Sequence, residues 1–535
     1  MLAGRRQTPC EYAVDRTRAV GGRYFSVVPT VHWMGGSGGV QSYAFKDPQG
    51  RYKAPTVELV TRWKVGLQRC FRYAVAKGIE GIQVLNHIDA HEHEAWRNTL
   101  DFDPTVRYGG WAYEDIVMRP AGDALRTATR PETKVWFMVS GEMGRSLFKH
   151  PKTFIRLLSK YRGPLQAGKK AENVRVGIAL HWNKVCGDCF YMPQQPDDRA
   201  YNASYARAFR ERGRDILAAH DVASIRALFN QADVIGISHY ASVGPTAQPF
   251  RFDVAADTTA YELSFWGIDL KGLVAGGRRD FLLSEVGLGG AMPDGKTPAH
   301  SAAAVAAQPL SGIWAVYNRA QDPWQRKELR VYRRQWSDAL IRYLGSPSGG
   351  GGGGTGVRRW PVDAAFLWSV GSWDLAGVHP ISTSREGTFA DGTVMQSMRL
   401  LSSRTKGRRR RRGAARGETR RRGRGRERER DEAAPRARAS SLDSSLSLFF
   451  ERQPTCLPRL GAVYKRTSTK NTPRGASTFT SASRRLFGGF LLSLQNAAQR
   501  ASAALSPYLR PSLLAPGSAR PSYAPPRSPT QVYVP

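Results

Sequence analysis

Two glutamates, Glu142 and Glu285, stand directly after short apolar runs, in MVSGEMG and LLSEVG. A pair of carboxyl groups facing one cleft can do what neither does alone. One protonates a leaving oxygen while the other attacks or activates water, and an acetal such as a glycosidic bond needs both. Other apolar runs end in the same way. His32 and Trp33 follow the first, Asn86, His87 and Asp89 the second, and His181, Trp182, Asn183 and Lys184 a later one. His239 and Tyr240 follow another, and Trp368, with Trp373 and Asp374 beyond it, closes the last. A lone polar residue after a strand is usually a cap or loop residue. Seven such ends, mixing carboxylates, imidazoles, an amide and indoles, suit a polyhydroxylated ligand whose C–H faces stack on rings and whose hydroxyls need polar partners.

Rival chemistries are weaker. HIDAHEHE (His87–Glu94) offers His87, Asp89, His91, His93 and Glu94 to a metal, but the spacing is not HExxH and no second histidine cluster ends a later strand, so a polar loop is the favoured reading. Cys186-Gly-Asp-Cys189 is a lone CxxC outside a thioredoxin-like context, which favours a loop disulfide or two free thiols over redox catalysis. No cofactor is expected. Asn202-Ala203-Ser204 fits a glycosylation sequon, relevant only in a secreted chain.

The elements that must position these residues are short, nearly continuous apolar runs at Tyr24–Val31, Ile79–Leu85, Lys134–Ser140, Val174–Leu180, Asp233–Ser238, Phe281–Ser284 and Ala364–Trp368. That is the pattern of strands buried on both faces. Amphipathic helical patterns lie between them at Thr56–Lys77, Pro151–Tyr161, Tyr205–Ala219, Val222–Ala232, Thr258–Leu273, Pro323–Leu344 and Val394–Ser403. Such alternation predicts parallel βα units, and seven strands approach the eight of a (β/α)8 barrel. A doubly wound open sheet would carry a glycine-rich phosphate loop after its first strand. Here that stretch, Gly35–Gly39, is GGSGG and not GxGxxG, so the barrel is preferred.

With Glu142 and Glu285 three strands apart, the sequence resembles the clan A retaining glycoside hydrolases, most closely the family 5 pattern. The resemblance covers residues 24–403. It implies that Lys134–Ser140 is strand four, carrying the acid/base Glu142, and Phe281–Ser284 strand seven, carrying the nucleophile Glu285. It further implies substrate-binding roles for His87 after strand three, His239 and Tyr240 after strand six, and Trp368 ending strand eight. Trp33, Trp182 and Trp373 are then candidates for the outer subsites, and His32, Asp89 and Asn183 are further substrate-binding candidates at the strand ends. The count leaves strand one without a counterpart in the 23 residues before Tyr24, so a barrel lacking that strand, truncated at its start, is expected. The clan carries Asn just before the strand-four Glu. This sequence has Gly141 there, and Asn183 in HWNK is the nearest amide. On this reading Glu142 should have a raised pKa, and Glu285 should be ionised and held by Tyr240.

The chain has 535 residues, 80 Lys+Arg and 44 Asp+Glu, for a net charge of +36. With 41% hydrophobic residues a collagen-like or wholly disordered chain is excluded, and no apolar run is long enough for a membrane span. The charge is uneven: residues 401–535 hold 29 Lys+Arg against 7 Asp+Glu, most densely at Arg404–Arg430. Residues 20–403 are therefore assigned to the barrel, with a flexible glycine-rich insertion at 346–356. Residues 404–535 are assigned to an Arg/Ser/Pro-rich disordered tail that could bind polyanions weakly. The N-terminus has no apolar signal region, which leaves the compartment open. Two functions stand: a retaining glycosidase acting on a β-linked carbohydrate, or a barrel that binds carbohydrate without catalysis and carries a polyanion-binding tail.

Overall fold

The computed structural model describes residues 7–35, 39–47, 50–91, 95–190, 198–244, 250–312, 319–346, 360–368, 391–400 and 402. The tail assigned to 404–535, nearly all of the glycine-rich insertion, and Trp373, His93 and Glu94 lie outside the described residues. In chain order the strands are β1 (Tyr24–Val27), β2 (Thr30–Met34), β3 (Ser42–Lys46), β4 (Tyr52–Lys53), β5 (Gly81–Leu85), β6 (His87–Ala90), β7 (Arg107–Tyr108), β8 (Trp111–Ala112), β9 (Lys134–Gly141), β10 (Val174–His181), β11 (Val234–His239), β12 (Asp280–Val286) and β13 (Val362–Leu367). The helices are α1 (Pro9–Ala19), α2 (Val57–Ala76), α3 (Arg119–Ala128), α4 (Gly144–Lys149), α5 (Pro151–Gln166), α6 (Asp198–Ala218), α7 (Val222–Gln231), α8 (Val254–Ser264), α9 (Leu270–Ala275), α10 (Ala302–Ala307) and α11 (Lys327–Gly345).

Seven parallel strands pair in the order β1-β5-β9-β10-β11-β12-β13. All seven are the strands the sequence predicts. They curl into a nearly closed barrel ringed by helices. Leu85, Trp136, Met138, Ala179, Val234, Leu282, Ala364 and Phe366, from six of the strands, form an interior cluster. The Gln83 amide of β5 donates across that interior to the Ser284 carbonyl of β12 at 3.0 Å. Neighbouring positions such as Val135, Phe137 and Val139 turn outward to the larger helix-covered core, the alternation that a barrel wall requires. The β1 and β13 edges come within 8 Å Cα to Cα but share no ladder. That gap is where the sequence reading had no strand to place. Gly177 allows β10 and β11 to approach closely, since a Cβ there would sit 1.8 Å from the Val234 carbonyl oxygen.

Two expected elements break where backbone chemistry breaks them. The run at Tyr24–Val31 is split at Pro29, which has no N–H for a ladder. The chain then re-pairs as β2 in a second sheet of order β4-β3-β2-β6. β2 and β6 stay parallel in the register set by β1 and β5, Thr30 opposite His87 as Val27 is opposite Val84. A continuous ladder thus leaves the barrel and carries His32, His87 and Asp89 above its mouth. The helix expected at Thr258–Leu273 is split into α8 and α9, with Gly267 at φ +69 between them.

The ends of the barrel are fastened to each other. Asp391 accepts from the backbone of Thr393 and Val394 at the start of the helix 392–400 and pairs with the fully buried Arg333 of α11 at 3.0 Å. Arg399 then donates to the Ala19 carbonyl at 2.6 Å, and Ser402 to that of Gly21. Two disulfides add to this. Cys186–Cys189 closes the loop after β10, one of the two readings open for that pair, and Cys10–Cys70 joins α1 to α2. The second closes 60 residues, a loop length worth roughly 4 kcal/mol in the chain-entropy account.

Candidate active site

Both glutamates stand at the C-terminal mouth of the barrel, where strand ends meet loops. Glu142 follows β9 with a positive φ of 55°, and Lys184 follows β10 with 52°. Among the described residues these are the only non-glycine positions with positive φ, a costly conformation that persists where surroundings over-determine it. The ladders slip at the same level, between Gly177 and Ala179 beside β9 and between Ile237 and Ser238 beside β12. Such irregularities re-aim side chains out of the wall.

Arg97 holds Glu142. Its Nη1 donates to Glu142 Oε2 at 2.7 Å while Nε and Nη2 bind Asp89 Oδ1, at 3.0 Å and 2.5 Å. Tyr240 donates its hydroxyl to Glu285 Oε2 at 2.9 Å, as the sequence reading expects. His87 Nε2 lies 3.4 Å from Glu285 Oε1 without the alignment of a hydrogen bond. Glu142 Oε1, Glu285 Oε1, His87 Nε2 and His181 Nε2 are therefore all buried with no hydrogen-bond partner. Unpaired buried polar atoms are expensive. Each of the four is left able to bond an incoming polar group.

The charges do not distribute as the sequence suggests. Burial opposes ionisation of Glu142, yet the facing His181, Arg97 and His87, with the Ser238 hydroxyl, outweigh it and lower its pKa. Of these Arg97 is the standing cation, because burial lowers both imidazoles, His87 to about 3. Glu285 is pushed well above the ordinary carboxylate range, first by burial and then by the charge on Glu142, with Arg97 and the Tyr240 hydroxyl only partly offsetting this. The expectation of a raised Glu142 and an ionised Glu285 is thus reversed in the free site. Burial and the like charge nearby thus favour the neutral form of Glu285, while Arg97 favours the charged form of Glu142.

Gly141 has a steric cause. A Cβ at this position would lie 2.2 Å from His87 Cδ2 and 2.7 Å from the Asn86 carbonyl oxygen. His87 occupies the space that an asparagine would fill. Gly141→Ala is expected to displace His87 and to lower the unfolding free energy by about 1–3 kcal/mol, as overpacked cores do. Urea denaturation measures this, and an unchanged midpoint would show that the His87 ring moves at no cost.

The remaining candidates divide. Trp182 is half-buried and packs on Tyr201, with ring centroids 6.1 Å apart. His181 Nδ1 lies 2.9 Å from Asn183 Oδ1. Trp368 is half-buried, its main chain bonded to Val286, and it lies against Gly287 just past Glu285. Trp33 is different: it is fully buried in the main core and has no face to offer a sugar. His239 is equally buried and bonds the Phe252 carbonyl at 3.1 Å, a structural contact. His32 is buried in the second sheet with its ring 5.0 Å from that of Tyr52. Among the described residues no group of three or more His, Cys, Asp or Glu is placed to hold a metal ion.

Sequence reading missed three neighbours, Trp96, Arg97 and Asn98. Trp96 packs edge-on against His181 at 4.8 Å. Asn98 is fully buried. It accepts from the Gly144 N–H at 2.8 Å and donates to the Lys184 carbonyl at 2.7 Å, so it ties the loop after β9 to the loop after β10. These residues form a single 3-10 turn, Arg97–Thr99 with Trp96 at its start, too short to leave a periodicity in the sequence. The one available signal is an aromatic–cation–amide triplet following the polar stretch HIDAHEHE.

No family model matches the sequence, and no curated protein matches it. Among solved structures, the chain is similar to a GH113 β-mannanase from Alicyclobacillus acidocaldarius, at 10% identity and a TM-score of 0.37, covering 74% of this chain and 92% of that one. It is also similar to an endo-1,4-β-D-mannanase from Thermotoga petrophila, at 12% identity and a TM-score of 0.33, covering 74% and 94%.

Proposed function

We propose that the chain is a retaining glycoside hydrolase of clan A type, acting on β-linked glycans, with Glu285 as nucleophile and Glu142 as acid/base. The observation that carries the reading is the buried carboxyl pair itself. The two groups sit at strand ends three strands apart, both feel the charge of Arg97, which bonds Glu142 directly, and each keeps an oxygen without a partner. A retaining mechanism needs such a pair: one group forms the glycosyl–enzyme bond while the other protonates the departing oxygen and later deprotonates water. In the free site the proton rests on Glu285 and the charge on Glu142. A substrate oxygen entering beside Glu142 competes with Arg97 for Oε2, and the pair then exchanges the proton into the working arrangement. Trp368, Trp182 and Trp96 offer faces to the sugar rings. Trp33 and His239 are not part of the site on this reading, and the family 5 likeness rests on the motif resemblance alone. The Arg-rich segment at 404–430 takes no part in the chemistry and would supply at most salt-sensitive polyanion binding.

The test is hydrolysis of a panel of aryl β-D-glycosides (mannoside, glucoside, galactoside and xyloside), with the first-formed anomer followed by proton NMR. The β anomer appearing first is expected. The α anomer first would make the enzyme inverting. Binding of β-linked oligosaccharides without any turnover would leave a carbohydrate-binding barrel.

A further inference from the structure

We propose that Glu262 is a positioning residue whose carboxylate clamps the loop after β10 and so sets where Trp182 and Asn183 meet substrate. Glu262 lies on α8, fully buried and 78 residues from Lys184 in sequence. Three donors converge on it. The Lys184 N–H reaches Oε1 at 2.8 Å, the Val185 N–H reaches Oε2 at 2.9 Å, and the Tyr201 hydroxyl reaches Oε1 at 2.6 Å. One turn earlier on the same helix, the Thr259 hydroxyl donates to the Trp182 carbonyl at 2.8 Å. The held segment begins at Lys184, one of the two strained non-glycine positions. Its carbonyl is held by Asn98 from the other side. Both halves of this left-handed residue are thus fixed by buried side chains, which is how such strain is maintained.

An uncharged residue could have capped one of these N–H groups. A carboxylate accepts from all three donors at once, and that capacity depends on its ionisation. Burial lifts its pKa to about 7 against the pull of the Tyr201 hydroxyl, the Val185 and Lys184 N–H groups and the Lys184 charge. The titratable groups acting on it are Tyr201 and Tyr205 from α6 and Lys184 from the loop. A protonated Glu262 turns one acceptor into a donor and releases part of the clamp. The loop should therefore tighten as pH rises through neutrality.

The structural half of this inference stands without the glycosidase reading, and the kinetic half rests on it. Amide exchange read by mass spectrometry on the full chain, corrected for intrinsic rates, decides the first half. In Glu262→Gln the peptide spanning Lys184 and Val185 should exchange roughly tenfold faster at pH 8, the counterpart of one lost charged hydrogen bond. Peptides from β11 should be unchanged. At pH 6 wild type and variant should converge, because Gln stands in for the protonated acid. Equal exchange at pH 8, or acceleration spread over β10 and β11 alike, overturns the clamp. On whichever aryl glycoside the chain turns over, Glu262→Gln should raise KM about tenfold and leave kcat within about threefold, since Glu142 and Glu285 keep their own strands. Glu262→Asp should recover part of the loss. A loosened loop with unchanged KM overturns positioning. If the chain turns over no glycoside at all, the exchange data still decide the clamp.

Discussion

Glu285→Gln is expected to lower turnover of an activated aryl β-glycoside by a factor on the order of 10^4 or more, the size seen when a nucleophile is removed from a working site. Gln keeps the shape and can still accept from Tyr240, so the fold should hold. Removing a carboxyl whose pKa burial has raised should even favour folding as pH rises above the ordinary carboxylate range. There the native state must give up a proton that it holds more tightly than the unfolded chain does. Glu142→Ala should behave differently. An aryl leaving group needs little protonation, so formation of the glycosyl–enzyme is spared and its hydrolysis slows by about 10^2–10^4-fold. Added azide should restore turnover and give the β-glycosyl azide, because the small anion enters where Glu142 stood and attacks the intermediate. An α-glycosyl azide formed by Glu285→Ala would confirm the same assignment from the other side. If azide instead gives the β product with the Glu285 variant, the two roles are exchanged, as the resting charges alone would suggest. Full activity in either variant removes that residue from the mechanism.

The wall of the barrel was legible because a strand buried on both faces must be apolar throughout, and such runs are hard to mistake when helical patterns separate them. The strand ends were legible for the same reason: a polar residue closing such a run marks where the wall gives way to the mouth, although His239 stays within β11 as a structural residue. What was hidden depends on contacts between distant segments. Pro29 is visible in the sequence, but the continuation of the ladder as a second sheet is set by pairing with β6. α3 is obscured by Pro120 and Gly122 within its own span, the glycine lying against the Tyr161 ring. α1 carried a legible start, Thr8 and Glu11 in a reciprocal cap with Pro9 between them, yet the 23 residues before Tyr24 are read only as lacking a counterpart to strand one. Gly141 reads as a missing asparagine in one dimension and as room for His87 in three. Arg97 left only the triplet Trp96-Arg97-Asn98 as a signal, and that is weak, since an arginine in a polar segment is normally solvated. Only the fold places it between Asp89 and Glu142.

The resting charge on Glu142 makes Arg97 the second residue whose loss should be large. Its side chain is 17% exposed and it neutralises two nearly buried carboxylates. Arg97→Met leaves both unpaired, which should cost about 3–5 kcal/mol of stability at neutral pH, the usual penalty for breaking a buried pair. The stabilisation fades with acid. Burial tends to raise the pKa of Asp89, but Arg97, with His87 and His32, brings it down to about 2. The stabilisation is therefore complete above the ordinary Asp value of 3.8 and is lost as pH falls toward 2. Wild type and Arg97→Met should thus converge in stability in strong acid and diverge above about pH 4. Arg97→Lys keeps one cation without the fork that reaches both partners, so it should fold with less loss and serve for kinetics. Without the full ion pair, burial acts on Glu142 less opposed, and its pKa should rise. The limb of the kcat/KM profile at which the acid loses its proton should then move to higher pH in Arg97→Lys, while the maximal rate falls as the loop loses its anchor. A fall in rate with the limb unmoved would reduce Arg97 to a structural tie and leave the resting proton to be explained by burial alone.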